Sequence, residues 1–461
     1  MDVSLSEVIK AIHAGQAGAI ASEARIHVIS TDTRALDKAD IFFALVGKNY
    51  NGHDFIEEAI QKNVRICVVS DKKIISAEFK EDVGFLIVDD TLKAYGDLAK
   101  FYRQQFKIPA VAITGSSGKT TVKELAAHIL SQSFKVLKNR GTENNLIGVP
   151  KTILQLEKAH EVLVLEMGTS LPGEIGRLSS IIAPQVGVVT QIGLAHLEGF
   201  GSQESIKEEK LKVLDQLERG GTLIFNGQDP FLRDVKSGVH KILRVGLQKE
   251  ENDLWAEQVW CHETGSSFYL NGKDLCETPI IGRHNVLNCL YAIMVATCFG
   301  IKLPLIQKAL SSFKPVTGRL TAKSLDGIEF LDDTYNSNPN SFKASLEMLK
   351  EFKMRGRKGV VCGDMLELGE QAEALHRQMG AVIAEWLFDY VIAAGPWSKY
   401  LVDEAIKRGF DPKRIYHVAD SLAAGKLCRE VAQAGDRVLV KGSRGMKMEK
   451  VFECFITSST P

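Results

Sequence analysis

The residues from 110 to 130 carry the clearest chemical motif of the chain. The apolar run AVAIT ends at Thr114, the turn GSSG (115–118) follows, and TVKELAAHIL has the apolar spacing of a helix. Glycine permits backbone angles that point several N–H groups into one hollow, and the start of a helix adds partial positive charge. The sequence therefore predicts a site for the phosphates of a nucleotide at this turn.

Two side chains directly after the turn support this interpretation. Lys119 is placed to meet the outer phosphates, and the hydroxyl of Thr120 is a usual ligand of Mg²⁺ in such loops. The loop is a shortened form of the general Walker pattern, because Ile113 stands where that pattern has its first glycine. The order of strand, glycines, Lys-Thr pair and helix favours nucleotide binding over a tight turn with an exposed lysine.

Other polar residues follow the neighbouring predicted strands. Glu166 ends the apolar strand VLVL, where a carboxylate faces the ligand crevice and offers the oxygen that Mg²⁺ prefers, or is a solvated glutamate at the end of a strand. His196 comes just after the next strand, where it contacts a metal or a phosphate, or serves the structure only. Lys207 and Lys210 lie on the acidic helix ESIKEEKLKVLDQL, and their spacing does not distinguish either lysine from a solvated helix face.

Composition excludes several classes of protein. Lys plus Arg and Asp plus Glu both total 57, so a broad basic surface for nucleic acid is not expected. The longest nearly apolar run, Cys289 to Ile301, is far shorter than the roughly 20 residues that cross a bilayer. The eight cysteines form no CxxC pair and indicate free thiols. No secretory signal is visible in MDVSLSEVIK, and we expect a cytoplasmic protein without a membrane span.

Apolar runs rich in β-branched residues alternate with helical patterns, which favours parallel sheets covered by helices. We predict an α/β protein of three domains, at residues 1–88, 89–314 and 315–461. The last domain is similar to a Rossmann-like unit, but it has no GxGxxG after its first strand, and we assign no dinucleotide to it. Residues 241–279 are harder to assign and fit a small antiparallel excursion.

The first domain shows three predicted strands, at residues 41–45, 64–70 and 84–90. The pattern that follows them, VDDTLKAYGDLAKFYRQQF, predicts a helix with Asp90 or Thr91 near its N-cap. This helix leads into the strand before the phosphate loop.

A series of motifs in the same order resembles the Mur ligase family, the ATP-dependent amide ligases of peptidoglycan precursor synthesis. The motifs are TGSSGKTT, NNLIGVP, LEMG, AHLEG, GRHNVLN, GRL, DDTYNSNP, GDMLELG and KGSRGMKME. They cover nearly the whole chain. YNSNP, GDMLELG with the later His376, and KGSR are similar to the member that adds D-alanyl-D-alanine to UDP-N-acetylmuramoyl-tripeptide. The resemblance implies a UDP-binding first domain, a central P-loop ATPase domain and a Rossmann-like last domain.

The resemblance also implies which residues bind ATP and Mg²⁺. The ATP phosphates would be held by Gly115, Ser116, Ser117, Gly118, Lys119, Thr120 and Thr121. Asn288 would meet the adenine, while Arg319 and Asp333 would approach the nucleotide from the third domain, Asp333 near the ribose. Mg²⁺ would be placed by Thr120, Glu166, His196 and Lys210.

The same resemblance assigns catalytic and substrate roles. Lys119, His196 and Lys210 would be the catalytic groups, and Lys210 matches the family lysine that becomes an N-carboxylated anion, with Lys207 as the alternative. The substrates would be contacted by Thr31, Asp32, Arg34, Lys48 and the loop up to His53, Asn145, Asn336, Asn338 and Pro339. The last three would sit by the incoming dipeptide, although Asn and Pro are also strong turn formers.

The implied reaction activates the carboxylate of the tripeptide with ATP as an acyl phosphate, which the amine of D-alanyl-D-alanine then attacks. We expect a monomer whose third domain closes onto ATP. A sibling ligase that adds one amino acid, including a folylpolyglutamate synthetase, is an alternative, but the domain before the phosphate loop argues against the folate enzyme. A non-catalytic ATP-dependent switch or a simple kinase would also carry a phosphate loop of this kind.

Overall fold

The computed structural model describes residues 1–18, 23–36, 39–47, 50–75, 83–353 and 355–456. Along these residues, three large sheets of five, nine and six strands follow one another, and helices cover them. The sheets lie within the ranges 1–88, 89–314 and 315–461. The predicted α/β class with three domains is confirmed.

The N-terminal unit is built from short elements. Its strands are Val3–Ser4 (β1), Gly15–Gly18 (β2), Arg25–Ile26 (β3), Ile29–Ser30 (β4), Ile41–Phe43 (β5), Ile66–Val69 (β6) and Gly84–Ile87 (β7), and its helices are Leu5–Ala11 (α1) and Ile56–Gln61 (α2). The sheet order is β2-β7-β6-β5-β4, with β2 antiparallel to β7 and the other pairs parallel. The three predicted strands are β5 to β7, each shorter than expected. Strands β1 to β4 could not be predicted, because a strand of two to four residues is too short to show the alternation of apolar and polar side chains.

Helix α3, Thr91–Gln104, joins the N-terminal unit to the central sheet. The Asp90 carboxylate accepts hydrogen bonds from two backbone N–H groups of the first turn, so Asp90 is the N-cap. Near the other end, the buried Arg103 guanidinium donates to the carbonyl oxygen of Ile182 at 3.0 Å and to two carbonyls of the following loop. These bonds fix the helix to the central unit.

The central unit contains the phosphate loop. Its strands are Ala110–Thr114 (β8), Val136–Lys138 (β9), Val162–Glu166 (β10), Val186–Val189 (β11), Thr222–Asn226 (β12), Lys241–Gly246 (β13), Leu254–His262 (β14), Gly265–Leu270 (β15) and Asp274–Thr278 (β16). Its helices are Lys119–Leu130 (α4), Gly148–Ile153 (α5), Glu174–Ile182 (α6), Leu197–Phe200 (α7), Gln203–Asp215 (α8), Arg283–Cys298 (α9) and Leu303–Ser311 (α10).

The order of the central sheet brings the candidate residues together. Strand β8 lies between β10 and β11, and all three are parallel. Their carboxyl ends therefore share one edge, where the phosphate loop, Glu166 and the loop before α7 meet. The strands are buried on both faces, and the mostly buried α9 packs against α4 on one side.

Residues 241–279 extend the central sheet rather than form a separate excursion. Strand β13 pairs in parallel with β12, and β14, β15 and β16 continue from it, the last two pairings being antiparallel. The turn between β14 and β15 reaches the C-terminal unit, where Arg437 donates to Glu263 at 2.8 Å. Arg437 is almost fully buried and also lies over the ring of Phe352.

The C-terminal unit is a doubly wound sheet. Its strands are Thr321–Leu325 (β17), Ile328–Asp333 (β18), Lys358–Gly363 (β19), Tyr390–Ala394 (β20), Ile415–Val418 (β21) and Arg437–Lys441 (β22), and its helices are Pro339–Glu351 (α11), Ala372–Trp386 (α12), Ser398–Lys407 (α13), Ser421–Val431 (α14) and Lys450–Ile456 (α15). The order is β17-β18-β22-β19-β20-β21. The antiparallel edge strand β17, with the polar sequence TAKSL, was not expected from the sequence. Among the helices that the structure describes, none has the length and hydrophobicity needed to cross a membrane.

Candidate active site

A cavity of about 830 Å³ lies between the edge of the central sheet and the C-terminal unit. Most residues predicted for the site line it. These are Ser116, Ser117, Gly118, Lys119, Thr120, Thr121, Asn145, Glu166, His196, Asn288, Arg319, Asp333, Asn336 and Asn338. The structure thus brings together residues that are far apart along the chain.

The two glycines of the phosphate loop are required by their neighbours. Gly115 has a φ of 142°, and a Cβ atom there would lie 1.9 Å from the hydroxyl of Thr190. Gly118 has a φ of 83°, and its Cβ would lie 2.4 Å from Oδ1 of Asn288. Ser116 holds the loop to the next strand, because its hydroxyl exchanges two hydrogen bonds with the backbone of Gly193. The hollow in front of α4 is therefore preformed.

Lys119 begins α4 and folds back over the loop. Its Nζ donates to the carbonyl oxygen of Gly115 at 2.8 Å. Burial lowers the pKa of Lys119, while the nearby charge of Glu166 acts in the opposite direction. Next to it, Arg319 of the C-terminal unit donates to Oγ1 of Thr120 at 3.0 Å. Two cations thus face the position where phosphates are expected.

Glu166 is held by groups that the sequence did not indicate. Asn144 donates to its Oε1 at 2.7 Å, and Asn139 exchanges two hydrogen bonds with its backbone. The Nζ of Lys123 lies 4.0 Å from Oε2, which is buried and has no hydrogen-bond partner among the described atoms. Lys123 is itself fully buried and donates to the carbonyl oxygens of Asn139 and Gly141.

The donor set at this edge fits Mg²⁺ of a nucleotide complex. Within the described ranges, no cluster of three His, Cys, Asp or Glu residues that could hold a metal is present. The unpartnered Oε2 of Glu166 and the hydroxyl of Thr120 are hard oxygen donors at the phosphate loop. Mg²⁺ commonly takes few protein oxygens and completes its shell with phosphates and water.

His196 pairs with the C-terminal unit. Its Nδ1 lies 2.5 Å from Oε2 of Glu367, a residue of the motif GDMLELG. This contact lowers the pKa of Glu367. His196 precedes α7 and lines the cavity, so the structure leaves it at the predicted edge with a carboxylate partner that the sequence did not predict.

The structure separates the two candidate lysines of α8. Lys210 is 2% exposed, and in the described part of the chain its Nζ makes no hydrogen bond or ion pair. Burial, followed by the charge of Lys119, holds the pKa of Lys210 well below its ordinary value. Lys207 is 30% exposed at its side chain and lies 3.7 Å from Glu204. Lys210 is not among the described residues that line the cavity, so it lies next to the site rather than at its surface.

Asn288 lies on the face of α9 that meets the phosphate loop. Its Nδ2 donates to Oδ1 of Asn285 at 2.8 Å, and Asn285 donates in turn to the carbonyl of Ile281. Tyr291, one turn later, donates to the carbonyl of Thr190. The buried amide of Asn288 is therefore satisfied by its own helix and lines the cavity at the same time.

The C-terminal unit contributes a buried ion pair to the cavity. Oδ2 of Asp333 accepts hydrogen bonds from Lys441 at 2.5 Å and from Ser345 at 2.7 Å. Burial lowers the pKa of Lys441, and the charge of Asp333 opposes this effect. Arg319 lies 3.8 Å above the ring of Tyr335, which orients its guanidinium toward the central unit.

The segment YNSNP forms both a helix cap and a contact between units. Asn338 is the N-cap of α11, with Oδ1 accepting from the backbone of Ser341, and Pro339 is the first helical residue. The Nδ2 of Asn338 donates to Oγ of Ser117 at 3.2 Å. The Oδ1 atom of Asn336 accepts a hydrogen bond from the backbone N–H of the next residue, Ser337. The structure therefore closes the C-terminal unit onto the phosphate loop.

The residues predicted in the N-terminal unit lie away from this cavity. Asp32 follows Thr31 and pairs with Arg34 at 2.7 Å, and this hydrogen bond lowers the pKa of Asp32 to about 2. None of the three is among the described residues that line the cavity. Lys48 lies outside the described residues. His53 is buried and accepts the backbone N–H of a neighbouring strand end, so it serves the fold.

Comparisons with known proteins agree with this geometry. Three family models match the chain: the Mur ligase family catalytic domain at residues 25–103, the Mur ligase middle domain at 113–296 and the glutamate ligase domain of Mur ligases at 318–444. A relative from Bacillus subtilis, a UDP-N-acetylmuramoyl-tripeptide–D-alanyl-D-alanine ligase, is 36% identical over 94% of both chains. The chain belongs to the Mur ligase family.

Solved structures of Mur ligases have the same arrangement. A MurF structure from Acinetobacter baumannii has a TM-score of 0.90, with 29% identity and 99% of each chain covered. A MurF ligase from Thermotoga maritima in complex with ADP has a TM-score of 0.83, with 28% identity over 93% of this chain and 97% of that one.

Several residues at the site of this Mur ligase escaped prediction from the sequence. They are Lys123, Asn139, Asn144, Asp229, His284, Asn285, Tyr335, Asn340, Glu367 and Lys441. Lys123 had one detectable sign, because it stands on the apolar face of the predicted helix, three residues after Thr120. Six of the others stand inside the motifs quoted from the sequence, which could have marked them: Asn144, His284, Asn285, Tyr335, Glu367 and Lys441. Only the fold brings Asn139, Asp229 and Asn340 to the site.

Proposed function

We propose that this chain is an ATP-dependent ligase that joins D-alanyl-D-alanine to UDP-N-acetylmuramoyl-tripeptide. The observation that carries the proposal is the cavity in which the phosphate loop, Glu166 and the segment YNSNP meet. Two relatives named for this reaction, from Bacillus subtilis and Escherichia coli, match 94% and 100% of the chain at 36% and 34% identity. Their similarity supports the same substrates here.

The first step activates the tripeptide. Its terminal carboxylate oxygen attacks the γ-phosphorus of ATP, the bond to the β-phosphate oxygen breaks, and ADP leaves while an acyl phosphate forms. Both reactants are anionic, so their approach requires positive charge, which Lys119 and Arg319 supply at the loop. Little covalent help is available from the protein in phosphoryl transfer, and positioning is its main contribution.

In the second step the free amine of D-alanyl-D-alanine attacks the acyl carbon. The tetrahedral intermediate expels inorganic phosphate, the nitrogen loses a proton, and an amide remains. Asn336, Asn338 and Pro339 stand where the C-terminal unit closes the cavity, which supports their role beside the dipeptide.

Thr120 and Glu166 would hold Mg²⁺ of the nucleotide, with His196 beside them. When bound, the metal neutralises charge on the phosphates and orients them. Glu166 suits this role because Asn144 fixes one carboxylate oxygen and leaves the other without a partner.

The environment of Lys210 supports it as the lysine that becomes N-carboxylated. Burial that lowers the pKa of Lys210 favours the unprotonated amine, whose lone pair can attack CO₂ to give a carbamate and a released proton. The positive charge of Lys119 disfavours a protonated amine on Lys210. The carbamate is an anion, and the same charge favours it. Lys207 is only partly buried and lies 3.7 Å from the carboxylate of Glu204, so it lacks this environment.

The remaining roles follow the positions of the side chains. Asn288 beside Gly118 would meet the adenine, and Asp333, held by Lys441, would lie near the ribose. The UDP end would lie at the N-terminal unit, with Thr31, Asp32 and Arg34 as contacts, and Asn145 would contact the substrate at the cavity. A reaction that uses ATP and a UDP-linked precursor fits the cytoplasm, and a monomer suffices because one chain supplies the whole cavity.

Phosphate release with defined substrate pairs tests this function. We expect release only with ATP, UDP-N-acetylmuramoyl-tripeptide and D-alanyl-D-alanine together, with a new amide in the product. Release with a single amino acid would indicate a sibling ligase, and a phosphorylated product without an amine would indicate a kinase. Nucleotide binding with no phosphate release under any pair would indicate a switch.

A further inference from the structure

The contact between His196 and Glu367 joins two units of the chain at the edge of the cavity. His196 belongs to the central unit, and Glu367 lies between β19 and α12 of the C-terminal unit. Besides the 2.5 Å contact of Nδ1 with the carboxylate, the backbone N–H of Glu198 donates to the carbonyl oxygen of Glu367 at 3.4 Å. Side chain and backbone of Glu367 therefore both meet the loop that carries His196.

The segment that carries Glu367 is fixed within its own unit. The backbone N–H of Met365 donates to Nε2 of His376 at 3.0 Å, and that of Leu366 donates to Oγ of Ser443 at 2.8 Å. His376 is buried and also bonds to the carbonyl of its own helix. The two residues before Glu367 are therefore anchored, and its carboxylate is presented by a supported loop.

Both partners have unusual backbone conformations. His196 has a φ of 58° and Glu367 a φ of 62°, a region in which residues other than glycine are uncommon. Such conformations persist where the surrounding structure determines them, often at functional sites. The backbones of both units are thus shaped so that this histidine and this carboxylate meet.

We propose that Glu367 is a positioning residue for His196, and that it acts only when the C-terminal unit closes on the central unit. The carboxylate lies 2.5 Å from Nδ1, although the two atoms do not meet hydrogen-bond geometry, and its charge there favours one ring tautomer and orientation and leaves Nε2 for the metal of the nucleotide. Carboxylates commonly orient metal-binding histidines in this way. This inference rests on the proposed function, because that function assigns His196 to the metal.

Direct metal binding tests the inference without relying on turnover. Mn²⁺ serves as the probe, and its binding to the full chain with a non-hydrolysable ATP analogue is followed by electron paramagnetic resonance. The variants are Glu367→Gln, Glu367→Asp, His196→Ala and the double variant of His196→Ala with Glu367→Gln. Glu370→Gln is the control, since Glu370 is an exposed carboxylate three residues away from Glu367. Thermal unfolding checks the fold of each variant.

We expect Glu367→Gln to raise the Mn²⁺ dissociation constant about 10-fold or more, the usual cost of losing such a partner. Glu367→Asp, which keeps the charge, should restore part of the affinity, and Glu370→Gln should leave it unchanged. The double variant should be no weaker than His196→Ala alone, because Glu367 acts through the histidine.

Three results would overturn the inference. If Glu367→Gln binds Mn²⁺ normally while His196→Ala does not, Glu367 has no positioning role and the metal role of His196 stands. If the two losses add in the double variant, Glu367 acts independently of His196. If His196→Ala also binds Mn²⁺ normally, the metal role of His196 fails together with the inference, whereas phosphate release with the substrate pairs would still decide the ligase activity.

Discussion

Arg319 of the C-terminal unit donates a hydrogen bond to Thr120 of the phosphate loop, 199 positions earlier in the chain. The half-buried side chain places its guanidinium over the ring of Tyr335, so its direction is fixed by that ring. The motif GRL therefore links the two units at the point where phosphates are proposed to bind, and the C-terminal unit contributes a cation there.

Replacing Arg319 by Lys should impair nucleotide use while keeping the positive charge. The ammonium cannot reproduce the planar stacking on Tyr335 or the directed bond to Thr120. We expect kcat/KM for ATP to fall about 10-fold or more, measured by phosphate release at varied ATP. Arg408→Lys, at a surface ion pair of the same unit, should keep kcat/KM near the parent value. Equal effects of both changes would contradict the role of Arg319.

Lys119→Ala should nearly abolish ligation and leave the fold intact. Removal of charge aimed at a developing anion typically costs about 10²–10³ in rate. Steady-state phosphate release measures the loss, and thermal unfolding shows whether the fold remains. Lys343→Ala, an exposed lysine of α11, is the control. Activity close to that of the parent chain would reject the assigned loop.

Lys210→Ala should lose activity and regain part of it with small carboxylates such as acetate or formate. The added anion would replace the carbamate proposed for Lys210, whose burial lowers its pKa. Lys207→Ala should retain activity and show no such response, because Lys207 is only partly buried and is paired with Glu204. If carboxylates rescue only the Lys207 variant, the assignment of the modified lysine is wrong.

Lys123→Met should raise the Mg²⁺ concentration needed for half-maximal activity several-fold. The buried ammonium lies 4.0 Å from Oε2 and donates to the carbonyl of Asn139, whose side chain bonds to the backbone of Glu166. Its loss should loosen the position of this carboxylate, and methionine keeps the volume without the charge. Two carbonyl oxygens also lose their donor, which should cost about 1–3 kcal/mol of unfolding free energy. Lys138→Met is the matched control, because Lys138 pairs with Glu124 and stands apart from Glu166. An unchanged Mg²⁺ requirement in the Lys123 variant would show a purely structural role.

His284 should make the fold sensitive to mild acid. Burial lowers its pKa from 6.5 to about 4, so the unfolded chain binds a proton between these values while the folded chain does not. Stability is fully present above pH 6.5 and falls as the pH approaches 4, by about 3 kcal/mol from this group. Urea unfolding at pH 7.5 and 5 should show a smaller difference for His284→Gln than for the parent. The exposed His262→Gln should behave like the parent, and an equal pH difference in all three chains would contradict the assignment.

The sequence predicted the elements whose local pattern is strong. The apolar strands at β8, β10 and β11 and the glycine loop could be recognised because each has a distinct pattern of its own. Strands β1 to β4 and β17 could not, because they are short or polar. Residues 241–279 join the central sheet because β13 pairs with β12, and the local sequence pattern could not predict this long-range pairing.

The candidate site was predictable residue by residue only where a motif carries its own chemistry. Lys119, Thr120 and Glu166 follow from the loop and the strand end. The choice of Lys210 over Lys207 depends on burial, which helix periodicity left open on an acidic helix. The pairing of Glu367 with His196 joins residues of two units, and no spacing along the chain could indicate it.

The glycine loop also bears on how small molecules could occupy the cavity. Thr190 and Asn288 pack so closely against the two glycines that no side chain fits there, so this part of the cavity wall is already shaped before anything binds. A compound that binds there restricts few protein side chains that were mobile before, so binding has a small cost in conformational entropy. The opposite wall of the cavity belongs to the C-terminal unit. A compound that contacts both Thr120 and Tyr335 would link the two units, so its residence time would depend on how often the units separate.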